Sequence, residues 1–246
     1  MELFDIFKKN DKERKQEVNA QGWDLITEAC ENIYPDQKDP KHYGTLIKWQ
    51  FGGNDPLDGI SIYEGEDYWH FVTYGLSELY EKESDNKDIS GYGMEFTFKL
   101  KKDNYEDEES EIKCICGILQ SIAKITFTQG EVFNAYEYLY TGQTQGIDTK
   151  MQSNITGFIT IPDIHLKEIN TPNGKVEFVE FIGVTNTIKY NKEYATQVLN
   201  NLSDMIRENQ ATDFMRLLPV VVSALLCNEI YSNFHKVHIL YKVNCL

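Results

Sequence analysis

The stretch Gly93-Met-Glu-Phe-Thr-Phe-Lys-Leu100 decides the fold. Met94, Phe96, Phe98 and Leu100 alternate with Glu95, Thr97 and Lys99, the period of two that a strand converts into one apolar and one polar face. Upstream, Tyr68 to Tyr74 is aromatic and β-branched throughout, and Gly59 to Tyr63 alternates Ile60 and Ile62 with small or polar neighbours. Thr45 to Phe51 holds Leu46, Ile47 and Trp49, and Gly52-Gly53-Asn54-Asp55-Pro56 follows it as a dense turn signal. Four such segments in succession predict a mixed or antiparallel sheet.

Helices flank them. Trp23, Ile26, Cys30 and Ile33 recur at steps of three and four, which predicts a helix over about 22–33. Tyr34-Pro35-Asp36 ends it, since proline drives the residue before it out of helical geometry. Asp103 to Glu111 carries six acids in nine positions, a charge that suits a helix N-terminus. The helix it leads into spans about 111–127, with Ile112, Ile115, Cys116, Leu119, Ile122 and Ala123 on one stripe and Gly130 past its end. Two further strands follow, Ile155 to Ile161 and Lys175 to Val184, the second introduced by the turn Thr171-Pro172-Asn173-Gly174. A last helix is predicted over about 191–208. The division is a flexible lead (1–21), one α+β domain (22–216) in which a mixed or antiparallel sheet packs with helices, and a C-terminal extension (217–246). In that extension Leu217 to Leu226 reads as a strand or a helix start, and His235 to Val243 as a strand.

At 246 residues, 41% hydrophobic and 13% aromatic, the chain can bury a full core. Its 39 acidic against 24 basic residues leave a formal charge of −15. Such a surface repels phosphate backbones and anionic lipid, so no nucleic acid and no membrane are expected as partners, and basic proteins are. Met1 to Gln21 is polar and lysine-rich with no apolar core of a signal peptide. The longest apolar run, Leu217 to Leu226, is too short for the ~20 residues that span a bilayer. Five cysteines without repeating spacing are expected as reduced thiols, and the location as cytoplasmic. Cys114 and Cys116 fall about 200° apart on the predicted helix, which would bury one and not the other.

Chemistry has few candidates. Neither a G-x-S-x-G nor a P-loop is present, and Gly91-Tyr92-Gly93 precedes a strand where a dinucleotide loop would follow one. No H-E-x-x-H accompanies the acids Asp55, Asp58, Glu64, Glu66 and Asp67 around His70. A carboxylate-metal hydrolase built on Asp55, Asp58 and His70 is the least favoured reading; no catalytic residue, metal or cofactor is expected. The aromatics carry more information. Alternation puts Tyr68, His70, Val72 and Tyr74 on one face and Trp69, Phe71 and Thr73 on the other. Either both faces lie in a two-sided core, or one is a protein-binding surface rich in the residues that dominate interface energetics. Glu78, Tyr80 and Glu81 follow directly, placing acid beside that surface.

Several ordered motifs then resemble the suppressor-of-fused family: Tyr34-Pro-Asp-Gln37, Gly52-Gly-Asn-Asp-Pro-Leu-Asp58, Tyr68-Trp-His-Phe71, Tyr74-Gly-Leu-Ser-Glu-Leu-Tyr80 and Gly91-Tyr-Gly-Met-Glu-Phe-Thr-Phe-Lys-Leu100. Thr171-Pro-Asn-Gly174 and Phe181-Ile-Gly-Val184 continue the series, and Thr212-Asp-Phe-Met-Arg216 is similar to its closing segment. The resemblance runs over roughly 22–184. It implies a binder of other proteins. In animals the family holds a short peptide as an added strand beside the strand corresponding to Tyr68–Tyr74. Bacterial relatives of this single-domain size are implied to be immunity proteins that neutralise polymorphic toxins. The expectation is a cytoplasmic immunity protein that binds a basic toxin domain through Tyr68, His70, Tyr74, Glu78, Tyr80 and Glu81. The alternative is an adaptor that sequesters a regulatory protein by strand addition.

Overall fold

The computed structural model describes residues 19–141, 146–185 and 237–239. The predicted helix over 191–208, the run Leu217 to Leu226 and most of the lead lie outside them. Helix α1 spans Gln21–Glu31 and α2 spans Glu108–Gln129. The strands are β1 (Lys41–Gly44), β2 (Gly59–Glu64), β3 (Tyr68–Tyr74), β4 (Ile89–Lys101), β5 (Tyr138–Tyr140), β6 (Ile155–Pro162), β7 (Ile169–Thr171), β8 (Gly174–Thr185) and β9 (Val237–Ile239).

They form one mixed sheet in the order β1-β2-β3-β4-β8-β6-β5-β9, with β7 paired to β8. β1, β2, β3 and β4 pair antiparallel in succession, with Tyr63 opposite His70 and Phe71 opposite Phe98. β4 and β8 pair in parallel at Phe96 and Val179, and β8 pairs antiparallel with β6. The 93–100 alternation therefore sits in a central strand, with a layer on each of its faces.

The two helices supply those layers. Ile112, Ile115, Leu119 and Ile122 of α2 pack against Ile60, Phe71, Phe96, Phe98 and Phe181. Removing a ring such as Phe96 from this core costs about 3–5 kcal/mol. On the opposite face, Ile26 and Cys30 of α1 meet Tyr63, Val72, Tyr74 and Phe178. The aromatic run of β3 is thus a two-sided core. The acids ahead of α2 act as expected: Asp107 accepts from the Ser110 amide, and Gly130 closes the helix at φ +73°. Cys114 and Cys116 are both buried, because Ile147 packs into the same cluster from the flank of the helix. Cys114 is disulfide-bonded, which corrects the expectation of five reduced thiols; Cys30 and Cys116 are free.

Thr45 to Phe51 is not a strand. The partner of β2 is the polar segment Lys41–Gly44, and Trp49–Phe51 forms a single 3-10 turn. Two glycines cause the difference. Gly52 takes φ +84°, and the Gly53 amide donates to the Lys48 carbonyl at 3.1 Å. A Cβ on Gly53 would lie 1.8 Å from the Ile47 oxygen. The chain folds back on itself here, leaving Leu46 fully exposed, Ile47 60% and Phe51 75% exposed.

Candidate functional site

β3 carries the predicted site, and its two ends differ. At the Tyr68 end the side chains turn inward. His70 is fully buried, with Nδ1 2.9 Å from the Tyr34 hydroxyl and Nε2 3.0 Å from Asp163 Oδ2. An ionised carboxylate only accepts, so Nε2 carries the proton and Nδ1 accepts from Tyr34. Burial lowers the His70 pKa, and the charge of Lys99 lowers it further, so the ring is neutral. Asp163 also receives Thr97 Oγ1 at 2.7 Å and Lys99 Nζ at 3.0 Å. Burial opposes its ionisation, but Lys99 and His70 hold it well below the usual carboxylate range. Lys99 reaches Glu180 at 2.6 Å as well. Burial pushes Glu180 up to about 7 against the pull of Lys99. Each buried charge here has a partner, as a folded interior requires.

The other end opens to solvent. Between the 3-10 turn and the segment 75–84 lies a cleft of about 490 Å³, lined in part by Trp49, Tyr80, Glu81, Tyr92 and Phe127. Two internal carboxylates shape its wall. Glu95 is fully buried and accepts at Oε1 from the amides of Gly75 (3.0 Å) and Ser77 (2.9 Å) and from Ser77 Oγ (2.6 Å), and at Oε2 from Thr73 Oγ1 (2.7 Å). Burial pushes Glu95 up to about 7, with those hydrogen bonds opposing the rise. Glu78 accepts from the amides of Glu83, Ser84 and Gly91 and from Lys82 Nζ. Burial opposes its ionisation, but Lys82 and the three amides hold it at about 2. Gly91 sits at φ +57°, where a Cβ would be 2.7 Å from the Leu76 oxygen. At the floor, Lys48 Nζ lies 2.8 Å from Asp58 and 4.1 Å above the Tyr80 ring.

Six residues were expected at the partner surface, and the structure separates them. His70 and Tyr74 are fully buried, so neither presents a contact face: Tyr34 and Asp163 enclose His70, and α1 covers Tyr74, which stacks on Trp23 at 4.3 Å. Tyr68 is half-buried, stacked on His165 at 6.0 Å, and lies about 20 Å from the far end of the strand. Glu78 is spent on the loop's own amides. Tyr80 and Glu81 face the cleft. Strand addition beside β3 is closed as well, because β2 and β4 occupy both its edges. Nor are Asp55, Asp58 and His70 gathered: Asp58 holds Lys48, Asp55 lies 4.0 Å from Lys124, and His70 is in the interior. Among the described residues no group of three or more His, Cys, Asp or Glu side chains is placed to hold a metal. Sequence reasoning missed Trp49, Tyr92 and Phe127 as cleft walls. The one available signal was the Gly52-Gly53 pair, which turns Trp49 toward Phe127, ring centroids 6.0 Å apart.

The site and fold define an α+β module with a helix on each face of a mixed sheet and an open aromatic cleft at one end of its central strands. The chain belongs to the suppressor of fused protein (SUFU) family, whose model matches residues 53–217, more than half of it. It is 28% identical over 179 residues to the suppressor of fused homologs of Homo sapiens and Mus musculus, an overlap covering 66% of this chain and 35% of theirs. The chain therefore spans about a third of the length of those curated relatives. The Sufu-Fu complex crystal structure contains a similar chain, with a TM-score of 0.61, 27% identity and coverage of 68% of this chain and 77% of that one. Drosophila Suppressor of Fused superposes with the same TM-score and identity over 68% of this chain and 43% of its own. The expected family and the α+β fold are both confirmed. No described helix is long and apolar enough to cross a membrane.

Proposed function

We propose that this chain is a non-catalytic protein-binding module that neutralises a basic toxin domain by direct contact in the cytoplasm, as an immunity protein does. The partner seats at the cleft between Trp49 and Tyr80. One observation carries the reading: exposed Leu46, Ile47 and Phe51 stand beside an aromatic-walled cleft whose rim bears Glu81 and Glu83. Aromatic and apolar groups that water touches, ringed by charge, are the composition of an interface. A similar chain crystallised as the Sufu-Fu complex supports a polypeptide partner. The charge of −15 supports a basic one, because opposite fields accelerate capture.

Co-expression tests the proposal. A basic toxin domain that arrests growth when expressed alone is co-expressed with the chain, and growth is expected to be restored. Trp49→Ala with Tyr80→Ala should abolish that rescue while the purified variant stays folded, with a cooperative unfolding transition. Rescue by the double variant, or a purified chain that turns over a substrate of the toxin, would defeat the reading.

A further inference from the structure

The charges around the cleft can be accounted for one by one. Lys48 is bound to Asp58 at 2.8 Å, and Lys82 to Glu78 at 2.7 Å. Glu78 has in addition three backbone amides, so its charge is spent inside the loop. What remains at the rim is negative: Glu81 and Glu83 are exposed, and among the described residues neither has an ion pair. Between them and the floor stand the rings of Tyr80, Tyr92 and Phe127, the last two 5.3 Å apart.

The chain already shows what such a surface holds. Lys48 lays its ammonium 4.1 Å over the Tyr80 ring while bonding the Tyr80 hydroxyl at 3.0 Å and Asp58. A ring face and a carboxylate together select a cation, the ring through its quadrupole and the acid through its charge. That pairing is satisfied internally at the floor and left open at the rim. Apolar groups lie alongside on the 46–51 turn.

Resting on the protein-binding reading above, we propose that the cleft reads cationic side chains: it takes an extended segment of a basic polypeptide in which arginine or lysine alternates with apolar residues. The cations meet Glu81 and Glu83 beside the tyrosine rings, and the apolar residues lie on Trp49 and Phe51. A second copy of this chain is a poor occupant, since it brings its own charge of −15 to an acidic rim. Nucleic acid is repelled for the same reason. The wall is preformed: Glu95 and Glu78 fix the backbone of 75–84 before any partner arrives, which reduces the ordering cost of binding.

The probe is a fluorescein-labelled peptide, Gly-Arg-Val-Arg-Leu-Arg-Gly, titrated into the whole chain and followed by anisotropy and by amide chemical shifts. Two controls replace its arginines, one with citrulline, which keeps the shape without the charge, and one with glutamate. Saturable binding of the arginine peptide is expected, with shifts confined to residues 46–51, 76–84 and 91–92. Glu81→Gln with Glu83→Gln should weaken it about tenfold. Glu66→Gln with Asp67→Asn makes the same charge change at the β2–β3 turn and should leave affinity within about twofold. Equal weakening by both pairs, equal binding of the citrulline peptide, or no saturable binding would overturn the proposal. A toxin that needs Trp49 and Tyr80 but ignores Glu81→Gln with Glu83→Gln would sink the cation reading alone. A failure of rescue by the wild-type chain sinks the protein-binding reading itself.

Discussion

Glu95 shows how a single residue ties the strand to the cleft. The alternation in 93–100 places it on the polar side, and a sequence reader sends such a glutamate to solvent. The structure buries it beneath the loop it organises. Burial raises its pKa to about 7, so between about pH 4.5 and 7 the folded chain keeps a proton that the unfolded chain has released. The folded state binds more protons there, so stability falls as pH rises across that window, by at most about 1.4 kcal/mol per pH unit per group. Glu180, pushed to about 7 as well, has the same sign. Glu95→Gln removes one of the two titrations. Its amide oxygen can keep the Gly75 and Ser77 donors, and its NH2 can donate to Thr73 Oγ1. Urea unfolding at pH 5, 6, 7 and 8 should show a shallower decline for this variant than for the wild type, with the gap widest at pH 8. Parallel curves would contradict the assignment.

At the scale of elements, the outcome divides by period. The regular elements held: α1 through Ile26 and Cys30, α2 through Ile112, Leu119 and Ile122, β2 and β4 through their alternations, and β3, β6 and β8 as strands all occur where predicted, within a few residues. Three-residue β5 has too few positions to show a period at all. The failure at Thr45 to Phe51 is of another kind. Its apolar residues satisfy a strand pattern, but the Gly52-Gly53 backbone approaches Ile47 and Lys48 too closely for an extended chain. Long-range placement was equally hidden: nothing local to His70 says that Tyr34 and Asp163 enclose it, or local to Tyr74 that α1 covers it. Tyr80 and Glu81, at the end of the same run, line the cleft. The glycine argument has a direct check. Gly53→Ala sets a methyl 1.8 Å from the Ile47 oxygen, so the turn must open. A loss of about 2 kcal/mol is expected on denaturant unfolding, together with amide shifts through Leu46 to Phe51. A variant as stable as the parent, with those shifts unmoved, would contradict the cause given for the exposed apolar lip.

The described residues form a two-faced core with a cleft at one end. Both faces of β3 are filled, the buried charges at its Tyr68 end are paired, and the open chemistry gathers at the Tyr80 end. The most strongly perturbed carboxylates, Glu78, Glu95, Glu180 and Asp163, are each held by the chain's own donors and serve as anchors. What solvent reaches at that end is rings, an apolar lip and the acids Glu81 and Glu83. The measurement that tests this most directly is amide hydrogen exchange of the chain with and without the proposed toxin partner. Protection is expected to rise at 46–53, 76–84 and 91–92 and to stay unchanged around Tyr68 and the β2–β3 turn. Protection centred on that turn, or none anywhere in the presence of a saturating partner, would contradict the account.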